Sequence, residues 1–376
     1  LGHDPMKTFP PFLIPAALSL ALVGCAPKAD VYVSPEGNDA WSGGLPSPNA
    51  AKTDGPVASL ARARDVARAL KQAGPVPRPI AIDIRGGEYV LAEPFRLGPE
   101  DSGEKDAPIV YAARRGETPV FSGGRRIGGW TKGDGGIWRT EIPEVKAGKW
   151  YFHQLFVDGG RRVRARTPNE GYLRTLGPLE PYKRDRKDPA FAKNMAIRTG
   201  FKFREGDLKD SWRNLGDVNV FLYHSWTTSM HWLDRVDAVQ GTAHFTNRSG
   251  WPVGYWETEQ RYHVENVREA LDAPGEWYLD RKTGVLEYFA LPGEDMAKAE
   301  AIAPALTQLL FIEGDWAKGK YVHDIVLRGL SFRHADWSFP DRAQSVDGQS
   351  FVFLPGAVHA RGAERIALEG CEIAHV

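Results

Sequence analysis

One stretch of this chain repeats itself at a fixed interval. Residues 325–334 read Ile-Val-Leu-Arg-Gly-Leu-Ser-Phe-Arg-His, and residues 366–375 read Ile-Ala-Leu-Glu-Gly-Cys-Glu-Ile-Ala-His. Ile325 thus matches Ile366, Leu327 matches Leu368, Gly329 matches Gly370, Phe332 matches Ile373 and His334 matches His375, at an offset of 41 residues. Each copy alternates apolar and polar residues up to a glycine and then alternates again, which predicts two short strands joined by a tight bend with one face buried. Another pair of strand-like runs, at 310–314 and 358–362, precedes the copies. Fixed-period self-similarity marks a solenoid, whose coils bury their apolar faces only by stacking on neighbours. The expected fold is all-β: a right-handed parallel β-helix. The competing reading, two unrelated hairpins of a sandwich, leaves five matches including a glycine to chance.

A solenoid generally needs about three or more coils, yet the sequence stops at Val376, directly after the second copy. The expectation is therefore an N-terminal portion of a longer solenoid.

Composition narrows the function. Lys plus Arg and Asp plus Glu both number 48, so no net field recruits nucleic acid or anionic lipid. Two cysteines, Cys25 and Cys371, cannot build a disulfide framework. Cys371 takes the place of Leu330 in the repeat and reads as a buried free thiol. Cys25 closes Leu22-Val-Gly-Cys25, which follows an uncharged stretch broken by Pro10, Pro11 and Pro15, too short to span a bilayer. Residues 1–30 read as upstream residues and a signal peptide, and the Leu-Val-Gly-Cys end resembles the bacterial lipobox. Cys25 would then be lipidated, anchoring an exported protein at the cell envelope, at the outer membrane given Ala26 in place of aspartate.

Val31-Tyr-Val opens a first strand, and Ser59 can cap a helix through Ala73 in which Leu60, Ala63, Ala67 and Leu70 recur at helical spacing. A lone amphipathic helix in a β-rich chain suits the capping of a solenoid end. Short alternating runs at 80–84, 89–91, 108–111 and 119–121 look like early coils, without a register against the 41-residue repeat. Nine of the twelve tryptophans fall between Trp130 and Trp277, among strand-like runs and turn signals such as Asp158-Gly159. The organisation expected is a cap and first coils over 31–127, an inserted antiparallel β-domain over 128–304, and more β-helix over 305–376.

With these parts laid out, the chain resembles a known group. Gln154-Leu-Phe-Val-Asp-Gly159 with Arg164-Ala-Arg-Thr-Pro168, and the segment from Gly275-Glu-Trp-Tyr-Leu-Asp280 to Tyr288, resemble glycoside hydrolase family 141. The Glu-Trp-Tyr-Leu-Asp-Arg segment is also similar to the xylosidases of family 120. The resemblance implies a split β-helix that hydrolyses plant or algal polysaccharide, as a fucosidase, xylanase or xylosidase, with no cofactor and with its catalytic carboxylates on coils beyond Val376.

Glycoside hydrolysis needs two carboxyl groups, about 5–5.5 Å apart for retention and about 6.5–9.5 Å for inversion. Within this chain the weak catalytic candidates are Asp336 and Asp347, with Asp341, in the long loop 335–349; each reads first as a solvated loop carboxylate. His334 and His375 share a register and are expected to stack beside a cleft, either as a polar ladder or as sugar-binding groups. Trp337, in the same loop, is a stacking candidate. The run His224-Ser-Trp226-Thr-Thr-Ser-Met-His231-Trp232 mixes indoles with imidazoles, a composition that suits a sugar subsite or alternating core packing. Arg162, Arg164 and Arg166 share one face of a strand, read as solvated, with capture of a sugar carboxylate as the alternative. No metal set is completed by neighbouring His, Cys or carboxylates.

The reading is an exported, lipid-anchored glycoside hydrolase that binds polysaccharide or oligosaccharide and no nucleic acid. A polysaccharide lyase and a non-catalytic surface glycan-binding lipoprotein are the alternatives.

Overall fold

The computed structural model describes residues 28–188, 191, 193–339, 351–352 and 354–376. Cys25, Asp341 and Asp347 lie outside the described residues.

The repeat folds as its alternation predicts. The strands Val322–Arg328 and Ala363–Glu369 pair in parallel with Ile325 opposite Ile366 and Leu327 opposite Leu368. Ser331–Arg333 pairs with Glu372–Ala374, setting Phe332 opposite Ile373. The two runs preceding the copies, Leu310–Glu313 and Val358–Arg361, also pair in parallel, but Leu310 meets Val358 at a longer spacing. The difference is absorbed by a turn at Trp316–Lys318 that the second copy lacks, capped by the Asp315 side chain on the Lys318 amide.

The earlier runs extend the same three sheets. Val31–Val33, Ile80–Ile84 and Ile109–Ala113 precede the repeat strands in a five-stranded parallel sheet, with Ile109 opposite both Ile80 and Ile325. Gly87–Val90 and Pro119–Ser122 complete a four-stranded sheet, and Phe95–Leu97 a three-stranded one. Inward residues of all three form one core: Ile82, Tyr111, Phe121, Leu310, Leu327 and Phe332 are each 1% exposed or less. Tyr89, Phe121 and Phe332 stack in sequence, with ring centroids 4.9 and 5.6 Å apart.

The helix Leu60–Gln72 starts at Ser59, whose hydroxyl accepts from the Arg62 amide. Leu60, Ala63 and Ala67 join the core of the parallel sheets, whereas Leu70 is 36% exposed. Arg64 Nη1 donates to the Arg96 carbonyl on the edge strand Phe95–Leu97, at 2.8 Å. The helix thereby occupies a carbonyl that an edge strand would otherwise leave open.

Between Ser122 and Leu309 the chain builds two further eight-stranded sheets, antiparallel in all but one pairing. The first packs Phe152, Leu155, Trp277 and Tyr288 beneath it, and the second encloses Phe201, Val220, Leu222 and Tyr262. The Trp-rich segment is thus antiparallel β-structure, as its turn signals predict. Its entry and exit meet at Gly123, whose carbonyl accepts from the amides of Ala305 (2.8 Å) and Leu306 (3.1 Å). A Cβ at Gly123 would lie 2.4 Å from Leu309 Cδ2 and 2.9 Å from the His334 carbonyl, so this close approach requires glycine. Ser122 pairs directly with Arg333 across the seam.

The whole is an all-β protein with few helices, none of them long and apolar enough to cross a membrane among the described residues.

Candidate functional site

A cavity of about 440 Å³ opens where the two antiparallel sheets meet the segment that follows Ser331–Arg333. Several separate stretches supply its walls, Phe351 and Leu354 among them. The strand Gly160–Arg164 and the preceding His153-Gln154 form one side; Phe221, Met230 and Glu265 of the second antiparallel sheet form another; Trp337 and Phe339 form the third.

His153 is fixed on every side. Its backbone amide donates to Asp336 Oδ1 at 3.3 Å, and its Nδ1 lies 3.2 Å from Asp336 Oδ2. Trp337 stacks on the imidazole at a centroid distance of 4.2 Å, and Tyr151 meets it edge-on at 5.3 Å. Burial pushes the imidazole below its usual pKa, against the opposing pull of Asp336. His153 is therefore a neutral group at pH 7, able to donate from one ring nitrogen and accept at the other.

Arg164 and Glu265 face each other across the opposite wall at 3.8 Å. Arg164 is 5% exposed and also donates to Asn219 Oδ1 at 2.8 Å. Burial works against ionisation of Glu265, but the hydrogen bond from His263 Nε2 (3.1 Å) and the Arg164 charge outweigh it, holding the carboxyl below its usual value. Arg162 is neutralised by Glu294 and bonded to the Tyr288 hydroxyl at 2.8 Å. The solvated arginine face expected from the alternation is corrected here: Arg162 and Arg164 are packed and ion-paired, because the strand lies inside the first antiparallel sheet, paired on both edges.

Two wall residues keep a polar atom without a protein partner. The Oε1 of Gln154 and the Nε of Arg164 are buried and unbonded, although Gln154 Nε2 donates to the Ala335 carbonyl at 3.0 Å. Buried polar atoms of this kind are met by water or by a ligand. The walls combine indole and phenyl faces with oriented donors and acceptors, the surface that a sugar's apolar face and hydroxyls require. Among the described residues no group of three or more His, Cys, Asp or Glu could hold a metal ion.

The chain shares its fold with a glycoside hydrolase. That solved structure superposes on 92% of this chain with a TM-score of 0.76 at 24% identity, and the chain spans 62% of that protein's length. A xylose complex of XylC is matched over 90% of this chain at 14% identity with a TM-score of 0.38, covering 40% of that chain. No protein-family model and no curated protein matches the sequence.

The residues singled out from the sequence scatter. Asp336 and Trp337 reach the cavity, Asp336 by holding His153. His334 and His375 do stack: His375 Nδ1 lies 3.2 Å from His334 Nε2, and His334 Nδ1 lies 2.9 Å from Ser122 Oγ. Phe156 stacks on His375 at 4.5 Å, so the pair sits between the parallel sheets and the first antiparallel sheet, outside the cavity wall. Burial and the neighbouring His375 lower the His334 pKa to about 4.

Trp226 is 54% exposed at a hairpin tip, tilted against Trp256 at 4.5 Å. His224 is wholly buried and lines no opening. Its network has a single proton assignment. Gln260 Oε1 accepts from the Gly254 amide, so its Nε2 donates to His224 Nδ1 at 2.7 Å, leaving the His224 proton on Nε2 to meet Ser229 Oγ. Asn247 Nδ2 donates to the Met230 carbonyl, so its Oδ1 accepts from His231 Nδ1, and His231 Nε2 accepts the Ser229 hydroxyl proton at 2.7 Å.

His153, Gln154 and Glu265 escaped the sequence reading. A signal existed for Glu265: Arg261, His263 and Glu265 alternate with buried Tyr262 and Val264, which marks one polar face of a strand.

Proposed function

We propose that the protein to which this chain belongs is an exported glycoside hydrolase of the family 141 type, built on a parallel β-helix and acting on plant or algal polysaccharide. The cavity is its sugar-binding site. One observation carries this reading: His153, clamped by Asp336 and stacked on Trp337, shares the cavity wall with the Arg164–Glu265 pair and with the aromatic faces of Phe221 and Phe339. The shared register of three parallel sheets supports the β-helix, with coils over 31–127 and 305–376 and an inserted domain over 128–304. Envelope anchoring through Cys25 rests on the lipobox.

Within the described residues, Asp336 and Glu265 are both engaged as binding and positioning groups, by His153 and by Arg164 with His263. That favours glycan binding as the role of this chain's own residues. Calorimetric titration with xylose, fucose, xylotetraose and a fucosylated xyloglucan oligosaccharide tests it. Binding of at least one probe, lost in Glu265→Gln, is expected; no binding by any probe refutes it. Reducing-sugar release reports hydrolysis, and ultraviolet absorbance of an unsaturated product would instead reveal a lyase.

A further inference from the structure

One face of the second antiparallel sheet continues outward from the cavity. Side chains two residues apart on a strand share a face and lie about 7 Å apart. On the strand Arg261–Glu265 the sequence from the cavity outward is Glu265, His263, Arg261; on the neighbouring strand Asn219–His224 it is Asn219, Phe221, Tyr223. The register sets Asn219 beside Glu265 and Phe221 beside His263. Phe221 lines the cavity, so Tyr223 stands one row beyond it.

Bonds run through these rows without a break. Glu265 Oε1 meets His263 Nε2 at 3.1 Å, and His263 Nδ1 meets the Tyr223 hydroxyl at 3.2 Å. Phe221 lies flat on the His263 ring, with centroids 4.8 Å apart and an interplanar angle of 3°. In the outer row Tyr172, 48% exposed, packs edge-on to Tyr223 at 4.9 Å, and the Arg261 guanidinium sits 5.5 and 5.8 Å from the two ring centroids. Arg261 and Arg174 are both tied to Glu257, at 3.3 and 2.8 Å. The row therefore offers aromatic surface and a hydroxyl rather than bare positive charge.

We propose that Tyr172, Tyr223 and Arg261 form an open second subsite for a neutral sugar ring, so that the ligand is a chain running from the cavity along this face. The inference rests on the cavity being a sugar site. A ring bound in the cavity leaves its linkage partner facing the outer row, where the exposed Tyr172 is the surface available for stacking. Half-buried Phe221 and buried His263 position that surface and need not touch the second sugar.

The test compares xylose, fucose, xylotetraose, the fucosylated xyloglucan oligosaccharide and tetragalacturonate on the full chain by calorimetry. Wild type should bind a neutral oligosaccharide about tenfold more tightly than either monosaccharide. Tyr172→Ala should remove that advantage while leaving monosaccharide affinity unchanged. Tyr223→Phe, which deletes only the hydroxyl bonded to His263, keeps the stacking surface and should retain most of the advantage. Equal affinity for long and short probes, or an unaltered preference in Tyr172→Ala, overturns the second subsite alone. Tighter binding of tetragalacturonate overturns its neutral character. Failure of every probe overturns the cavity reading and this one together, and persistent monosaccharide binding separates the two cases.

Discussion

Acidification should unfold the second antiparallel sheet before carboxylate protonation can. His224 and His231 are buried in a network whose every proton is assigned, and an added proton would have to point at an amide donor from Gln260 or at the Ser229 hydroxyl proton. Burial lowers the His224 pKa to about 4 and the His231 pKa to about 3. Both folded values lie below the unfolded value of about 6.5, so the stabilisation is complete above that pH and is lost as pH falls towards the folded values. In that window these two residues together bind up to two more protons in the unfolded state, a slope of about 2.7 kcal/mol per pH unit from them alone, and about 4 kcal/mol of their contribution is gone by pH 5. That is a large part of the 5–15 kcal/mol available to a typical domain. Urea denaturation followed by tryptophan fluorescence between pH 8 and 5 measures it. His224→Gln should be less stable at pH 8 by about 1–3 kcal/mol for its broken hydrogen bonds, yet should flatten the pH dependence by about 1.4 kcal/mol per unit. A flat profile in wild type, or His224 and His231 imidazole resonances titrating near the unfolded value of about 6.5 in the folded protein, would refute the reasoning.

Three other outcomes are expected. Asp336→Ala frees His153 from its clamp and should weaken glycan binding by about 1–3 kcal/mol in calorimetry, leaving residual affinity through the aromatic wall. Arg164→Met leaves Glu265 facing an apolar group at a buried pair and should lower unfolding free energy by about 3 kcal/mol, read by chemical denaturation. Cys25→Ser should abolish metabolic labelling by a palmitate analogue in cells; retained labelling would exclude lipidation at this residue.

The parallel pairings were legible where the chain repeats itself without interruption. Ile325 and Ile366 announce their register because the bend at Gly329 and Gly370 has the same length in both copies. Ile80 and Ile109 carry the same inward role, but their spacing differs from the repeat and the next partner, Ile325, follows some two hundred residues later. No local pattern encodes that pairing. The stacking of His334 and His375 was readable from register alone, whereas their separation from the cavity depends on Phe156 wedging against them. The cavity itself was mostly hidden. His153, Glu265 and Trp337 are far apart in sequence, and of the three only Trp337 stands out in its own stretch. His224 misled for the opposite reason: an alternating polar residue normally faces water, and here it bonds to Ser229, Ser249 and Gln260 inside the sheet.

The Gly123 seam makes the intervening segment removable in principle. Because Ala305 and Leu306 bond to the same carbonyl that ends the outgoing strand, the two cut points already touch. The strands on either side, Pro119–Ser122 and Ser331–Arg333, pair with each other and not with anything between. Closing so long a loop costs little more than closing a short one, since the penalty grows only with the logarithm of length. A tight turn spliced across the seam would therefore leave every pairing of the three parallel sheets its original partner, and the same point can receive a foreign domain whose termini lie close together.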